Sequence, residues 1–223
     1  MAIKAVISDM DGVLIDARDW HYETLNRALA LFGYNISRHE HLTSYDGLPT
    51  AKKLHMLTAE KGLPQALHRF INEMKQAYTA DTVTLMCRPT FNHQYALSML
   101  KTRHGMKLAV ASNSIRATVN LMMDKAHLSQ YLDLQLSNED VAQAKPAPDI
   151  YLKAMEMLGV SPDETLILED NPHGIAAAKA SGAHVLVIGE PADVTYQNII
   201  ARIAEIEGAN VKNVVNCGFH GHL

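Results

Sequence analysis

The segment Lys4-Ala-Val-Ile-Ser-Asp9-Met-Asp11-Gly12 runs an apolar, strand-type stretch into two carboxylates two residues apart, followed by a glycine turn. Strand side chains alternate faces, so on a regular strand Asp9 and Asp11 share one face. Carboxylates that close repel, and the pairing is tolerated when a divalent cation joins them or a proton stays on one. Three further elements supply complementary groups. Ser112 and Asn113 follow an apolar run at the start of a helix-like segment, where a hydroxyl and free backbone N–H groups can hold an anion. Lys145, in Ala144-Lys-Pro-Ala-Pro-Asp149, offers an ammonium to neutralise a phosphate and an attacking carboxylate. Glu169-Asp170, ahead of Asn171-Pro172, adds carboxylates that can join the Asp pair in a cage of hard oxygen ligands suited to Mg²⁺. Each group alone reads as a loop or cap residue; four of them in order at strand ends read as a site for a phosphate ester and a metal.

The elements that must position these groups follow from hydrophobic patterning. Apolar runs at 107–111, 165–168 and 184–188 resemble the first one, and unbroken runs of this length fit strands buried on both faces of a parallel sheet. Helix-like segments lie between them. Residues 114–126 group Val119, Met122, Met123 and Ala126; residues 146–158 group Ile150, Ala154, Met157 and Leu158 and stop at Gly159; residues 172–181 start with Pro172 and stop at Gly182. Alternating strands and helices predict an α/β fold, a doubly wound (Rossmann-like) parallel sheet. The stretch 17–85 breaks this rhythm with helices only. One holds Leu25, Ala28, Leu29 and Phe32, another runs from Pro49 to Gly62, and a third carries the stripe Leu67, Phe70, Ile71, Met74 and Tyr78. The expected organisation is an α/β core of 1–16 and 86–223 with an α-helical cap, 17–85, inserted where such sheets bind ligands.

Bulk properties narrow the function. A chain of 223 residues with 48% hydrophobic content can bury a sizeable core. A net charge of −4 gives no electrostatic footprint for nucleic acid. No apolar run is long enough to cross a bilayer, the first apolar stretch is too short for a secretory signal, and Cys87 and Cys217 suggest no disulfide framework. The expectation is a reduced, cytoplasmic, monomeric protein with no nucleic-acid or membrane partner. The methionines Met99, Met122, Met123, Met155 and Met157 read as core filling, and Cys217, His220 and His222 as a glycine-rich tail rather than a metal site.

With these motifs in place, the chain resembles the haloacid dehalogenase superfamily from about residue 3 to about 190. Asp9-Met-Asp11-Gly-Val13 is similar to its first motif, Ser112 to the second, Lys145 to the third and Glu169-Asp170 to the fourth. The contexts Lys145-Pro-Ala-Pro-Asp149 and Glu169-Asp-Asn-Pro-His-Gly174 resemble its β-phosphoglucomutase and phosphoglycolate-phosphatase-like branch. The resemblance implies that Asp9 is a nucleophile forming an aspartyl-phosphate, and Asp11 an acid/base whose pKa rises when substrate binds. It implies Mg²⁺ held by Asp9, the Asp11 backbone carbonyl, Asp170, and Glu169 directly or through water. Ser112, Asn113 and Lys145 would hold the phosphoryl group. A carboxylate at Asp11 favours phosphoryl over carbon–halogen chemistry. His21 matches a histidine at the cap hinge. Thr50 falls at the cap loop position where the mutases carry a substrate-gripping arginine, with Lys52, Lys53 and Lys75 as possible substitutes. The expected activity is Mg²⁺-dependent hydrolysis of a small phosphomonoester, a sugar or polyol phosphate. The alternatives are a β-phosphoglucomutase-type mutase and a phospho-accepting signalling domain.

Overall fold

The structure is a computed structural model that describes residues 2–208. The chain begins with β1 (Ala5–Ser8) and continues into helices α1 (Arg18–Ala30), the single-turn α2 (Arg38–Glu40), α3 (Thr50–Lys61) and α4 (His68–Met86). It returns through α5 (Phe91–Thr102) to β2 (Lys107–Ala111), α6 (Arg116–Lys125), β3 (Leu134–Leu136), α7 (Asp149–Leu158), β4 (Thr165–Glu169), α8 (Pro172–Ala180), β5 (His184–Val187) and α9 (Tyr196–Glu207). The five strands form one parallel sheet in the order β3-β2-β1-β4-β5.

Strand periodicity explains the unbroken apolar runs. Val6, Leu108, Val110, Leu166 and Leu168 enter a core with α5, α6 and α9, while Ala5, Ile7, Ala109, Ala111 and Ile167 face α7 and α8. Both faces of β1, β2 and β4 are covered, which leaves their inner positions apolar, whereas β5, expected to be buried on both faces, is a half-buried edge strand with Val187 exposed. Starting from β1 the chain winds outward to β2 and β3, then crosses to β4 and β5. The loops after β1 and β4 therefore diverge and leave a crevice at the carboxyl ends of these neighbouring strands.

The helices between β1 and β2 bury a cluster of their own, including Leu25, Leu29, Tyr45, Leu54, Leu57 and Ile71. Helices α1 and α4 pack side by side, with Thr24 and Thr79 hydroxyls 3.1 Å apart and Arg27 over the Tyr78 ring.

Several expectations change. Strand β3 was not foreseen: three residues at a sheet edge carry too little pattern. Helix α7 starts at Asp149 rather than 146, after a cis Lys145–Pro146 peptide. Met157 is 57% exposed on its outer face and is not core. The stripe on α4 is rotated: Phe70 is 47% exposed and packs edge-on against Phe32, while the buried residues are Ile71, Lys75, Thr79 and Val83. Cys217, His220 and His222 lie outside the described residues.

Candidate active site

A cleft opens at the carboxyl ends of β1, β2 and β4, walled on the other side by α1, α3 and α4. Asp9, Asp11, Ser112, Asn113, Lys145, Glu169 and Asp170 line it, together with His21 and Thr50. Of the residues predicted for the site, Lys52 alone stays outside: it is exposed, and its neighbour Lys53 points into the cleft instead. One helical residue step rotates a side chain by about 100°, so adjacent lysines cannot share a face.

The Asp pair does not share a strand face. β1 ends at Ser8, and the next turn folds tightly, with the Leu14 and Ile15 amides both donating to the Met10 carbonyl. Gly12, at φ +86°, closes that turn, and a Cβ there would also strike Asp170 and come within 2.8 Å of Arg18 Nε. The carboxylates consequently meet different partners. Asp9 Oδ1 accepts from Lys145 Nζ at 2.6 Å. Asp11 Oδ2 accepts from the Ser114 hydroxyl at 3.0 Å, and His21 Nε2, in a ring that burial pushes below the ordinary imidazole range, lies 3.0 Å from Asp11 Oδ1 outside hydrogen-bond geometry.

These environments split the two acids electrostatically. Burial pushes the Asp9 carboxyl well above its ordinary range; Lys145 opposes this, and the charges of Glu169, Asp170 and Asp11 reinforce it. Burial also acts to raise Asp11, but His21, Ser114 and Lys75 outweigh it and hold Asp11 below its usual value. In this arrangement Asp11 is held in its ionised form.

Lys145 is the hinge of the site. Its buried ammonium also donates to Glu169 Oε1 at 2.6 Å, and it lies 4.7 Å from the centre of the Tyr151 ring. Burial acts to lower its pKa, and the two carboxylates override that and raise it. Glu169, 1% exposed, accepts from Lys145 and the Tyr151 hydroxyl on one oxygen and from the Asp170 and Asn171 amides on the other. Four donors fill its acceptor positions, so it is built to hold Lys145 more than to offer a direct metal bond. Gly174 in α8 lets this happen: a Cβ there would overlap the Glu169 carboxylate.

Asp9, Glu169 and Asp170 each place a carboxylate oxygen within 4.8 Å of the others. Asp170 Oδ1 is buried with no hydrogen-bond partner, and burial, opposed by Arg18, pushes the Asp170 carboxyl up. A crowded set of hard oxygens with one left unpaired fits a divalent cation such as Mg²⁺. Arg18, from the first turn of α1, bonds Asp170 Oδ2 through both Nε and a terminal nitrogen.

The loops between sheet and helices are stitched by asparagines. Asn113 Nδ2 donates to the Gly47 carbonyl at 2.8 Å while its Oδ1 accepts from the Lys145 amide at 3.1 Å. Asn171 Nδ2 donates to Asp46 Oδ2 at 3.0 Å. Ser112 is buried beside them, its hydroxyl accepting from the Ser114 amide at 3.0 Å.

Arg18, Ser114 and Tyr151 were missed in the sequence. Ser114 lay within the polar Ser112-Asn113-Ser114 leader. Tyr151 reads as one more apolar residue of α7, and nothing in the local pattern marks Arg18.

The chain matches the haloacid dehalogenase-like hydrolase family over residues 6–188 and belongs to it. It is 28% identical over 185 residues to a phosphorylated carbohydrates phosphatase of Thermotoga maritima, covering 81% of this chain and 82% of that protein. It is also 28% identical over 183 residues to the fructose-1-phosphate phosphatase YqaB of Escherichia coli, covering 79% and 92%. The fold is similar to that of a β-phosphoglucomutase of Clostridium difficile, with TM-score 0.80 and 19% identity over 92% of this chain and 99% of that one. CbbY of Rhodobacter sphaeroides, in complex with phosphate, gives TM-score 0.75 and 24% identity over 83% and 85%.

Proposed function

We propose that this protein is a Mg²⁺-dependent phosphatase that hydrolyses a small phosphomonoester through an aspartyl-phosphate on Asp9. The observation that carries the reading is Lys145 Nζ, 2.6 Å from both Asp9 Oδ1 and Glu169 Oε1, in a cleft that Asp170 shares. It sets a buried carboxylate beside a fixed cation, the pairing an attack on an anionic phosphoryl group needs. Phosphatases of phosphorylated carbohydrates among the relatives support a sugar or polyol phosphate as substrate.

In the first half-reaction an Asp9 oxygen bonds to phosphorus as the bond to the leaving alcohol oxygen breaks, and Asp11 delivers a proton to that oxygen. In the second, Asp11 takes a proton from water, the hydroxyl attacks phosphorus, and inorganic phosphate leaves Asp9. Asp11 is held ionised by His21 and Ser114, which suits the second half. Arrival of a phosphoryl dianion raises its pKa toward what the first half requires. Ser112, Asn113 and Lys145 hold the non-bridging oxygens. Asp9, Asp170 and the Asp11 backbone carbonyl would hold Mg²⁺, with Glu169 bracing Lys145 beside them. When bound, the cation supplies the positive charge that keeps Asp9 ionised and offsets its repulsion of phosphate. Residues 17–85 act as the cap over the core of 1–16 and 86–223, with His21 and Thr50 toward the substrate.

Phosphate release from p-nitrophenyl phosphate and a panel of sugar phosphates, with Mg²⁺ and with EDTA, tests the reading. The expected result is Mg²⁺-dependent release that Asp9→Asn abolishes. Release that survives Asp9→Asn, or isomerisation without net release, overturns it.

A further inference from the structure

Helix α7 brings one hydroxyl to the active site from behind the cleft wall. Tyr151, in the first turn of α7, does not line the cleft. It is fully buried, with its ring in the apolar layer that holds Ile7, Ile167 and Ala177. Only its tip is polar, and that tip donates to Glu169 Oε1 at 2.8 Å. Lys145 Nζ donates to the same oxygen and lies 4.7 Å from the centre of the Tyr151 ring.

Filling an apolar layer needs only the ring. Phenylalanine would serve there without a hydroxyl that must be desolvated and then partnered. The hydroxyl bears instead on a contest for Lys145. Its ammonium is 2.6 Å from Asp9 Oδ1 and 2.6 Å from Glu169 Oε1, and both acids are buried, so distance favours neither. Two carboxylates that share one cation compete for its charge. Glu169 is weakened as a rival by donors from elsewhere: the Asp170 and Asn171 amides on Oε2, and the Tyr151 hydroxyl on Oε1. Among the described residues, the Asp9 carboxylate accepts a hydrogen bond from Lys145 alone. Of the three donors that relieve Glu169, Tyr151 is the one that acts on the oxygen Lys145 uses.

We propose that Tyr151 is a positioning residue for Lys145: its hydroxyl shares Glu169 Oε1, loosens the hold of that acid, and leaves the ammonium charge to Asp9 and to the phosphoryl group that Asp9 attacks. The last clause rests on the phosphatase reading; the action of Tyr151 on Lys145 through Glu169 does not depend on turnover.

Tyr151→Phe isolates the hydroxyl, because the ring, its apolar contacts and its place beside Lys145 are kept; circular dichroism checks that the fold is retained. Lys145 is bonded to the nucleophile, so its drift toward Glu169 is felt as the Asp9–phosphorus bond forms more than as substrate docks. With p-nitrophenyl phosphate and Mg²⁺, kcat is expected to fall about tenfold, the size of one hydrogen bond to a charged group, while KM holds. The second measurement is orthovanadate binding, by calorimetry with Mg²⁺, since orthovanadate takes up the five-coordinate geometry of phosphoryl transfer. Tyr151→Phe should weaken that binding about tenfold when Glu169 is present, and hardly at all in Glu169→Gln, where no second anion competes for Lys145. An unchanged kcat, a loss confined to KM, or an equal loss of orthovanadate binding in both backgrounds overturns the proposal. If Glu169→Gln fails to fold, the split between kcat and KM decides. The two readings fail separately. A wild type that releases phosphate from no substrate sinks the phosphatase, and orthovanadate binding then still decides whether Tyr151 acts on Lys145 through Glu169.

Discussion

Replacing Gly174 with alanine sets helix propensity against packing. Gly174 is the third residue of α8, and in a helix alanine is preferred to glycine by about 1 kcal/mol, so propensity alone forecasts a more stable protein. The tertiary structure forecasts the opposite. The new Cβ overlaps the Glu169 carboxylate, and relief demands a shift of more than about 1 Å. Glu169 cannot move that far and keep its bonds to Lys145 at 2.6 Å and Tyr151 at 2.8 Å. Each hydrogen bond to a charged group contributes about 1.5–3 kcal/mol, and in a buried site the abandoned partners find no water. After the propensity gain, Gly174→Ala should still lose about 2–4 kcal/mol. Urea denaturation measures the loss, with Ala176→Gly at an exposed position of the same helix as the propensity control, costing about 1 kcal/mol. Phosphate release should fall more than about tenfold as Lys145 loses its second anchor. A Gly174→Ala protein as stable as the wild type, or more so, would refute the close packing of Glu169 on α8.

Other perturbations follow from the same geometry. Because burial lowers Lys53 and Lys75 to about 8 from an ordinary value near 10.5, the unfolded chain binds more protons than the folded one between those limits. Stability should accordingly rise with pH across that window. Lys53→Met and Lys75→Met should each exceed the wild type in urea stability at pH 7, by about 1–3 kcal/mol, with the gap closing as pH approaches 10; a gap independent of pH would contradict the assignment. Arg18→Ala leaves Asp170 buried with no cation, so the metal-free protein should melt lower and saturating Mg²⁺ should raise its Tm by more than it raises the wild type's. An unchanged Mg²⁺ shift in a thermal melt would separate Arg18 from the metal site.

The outline of the fold was legible because its cause is local. Strands covered on both faces are apolar along their buried length, as 108–111 and 166–168 are, and the helices between them announce their ends with proline and glycine. The site was legible for a related reason. In a doubly wound sheet the loops after the strands converge on one edge, so Asp9, Ser112 and Glu169-Asp170 meet by standing at strand ends, and Lys145 joins them from the loop that leads into α7.

What the tertiary structure decided lies where local pattern carries no direction. An early end to β1 turned Asp11 away from Asp9 and toward Ser114 and His21, so the two acids acquired opposite pKa shifts. A stripe of apolar residues states that α4 has a buried face but cannot say where that face meets a cleft. Packing against α1 rotated Phe70 outward and Lys75 inward. Choosing Lys53 over Lys52, and calling on Arg18 and Tyr151, depends on contacts between residues far apart in the chain, such as the 152 positions separating Arg18 from Asp170. The residue types that the proposed chemistry needs stand in order along the sequence. Which side chains meet in the cleft, and which charges are paired there, is set by the packing of helices on the sheet.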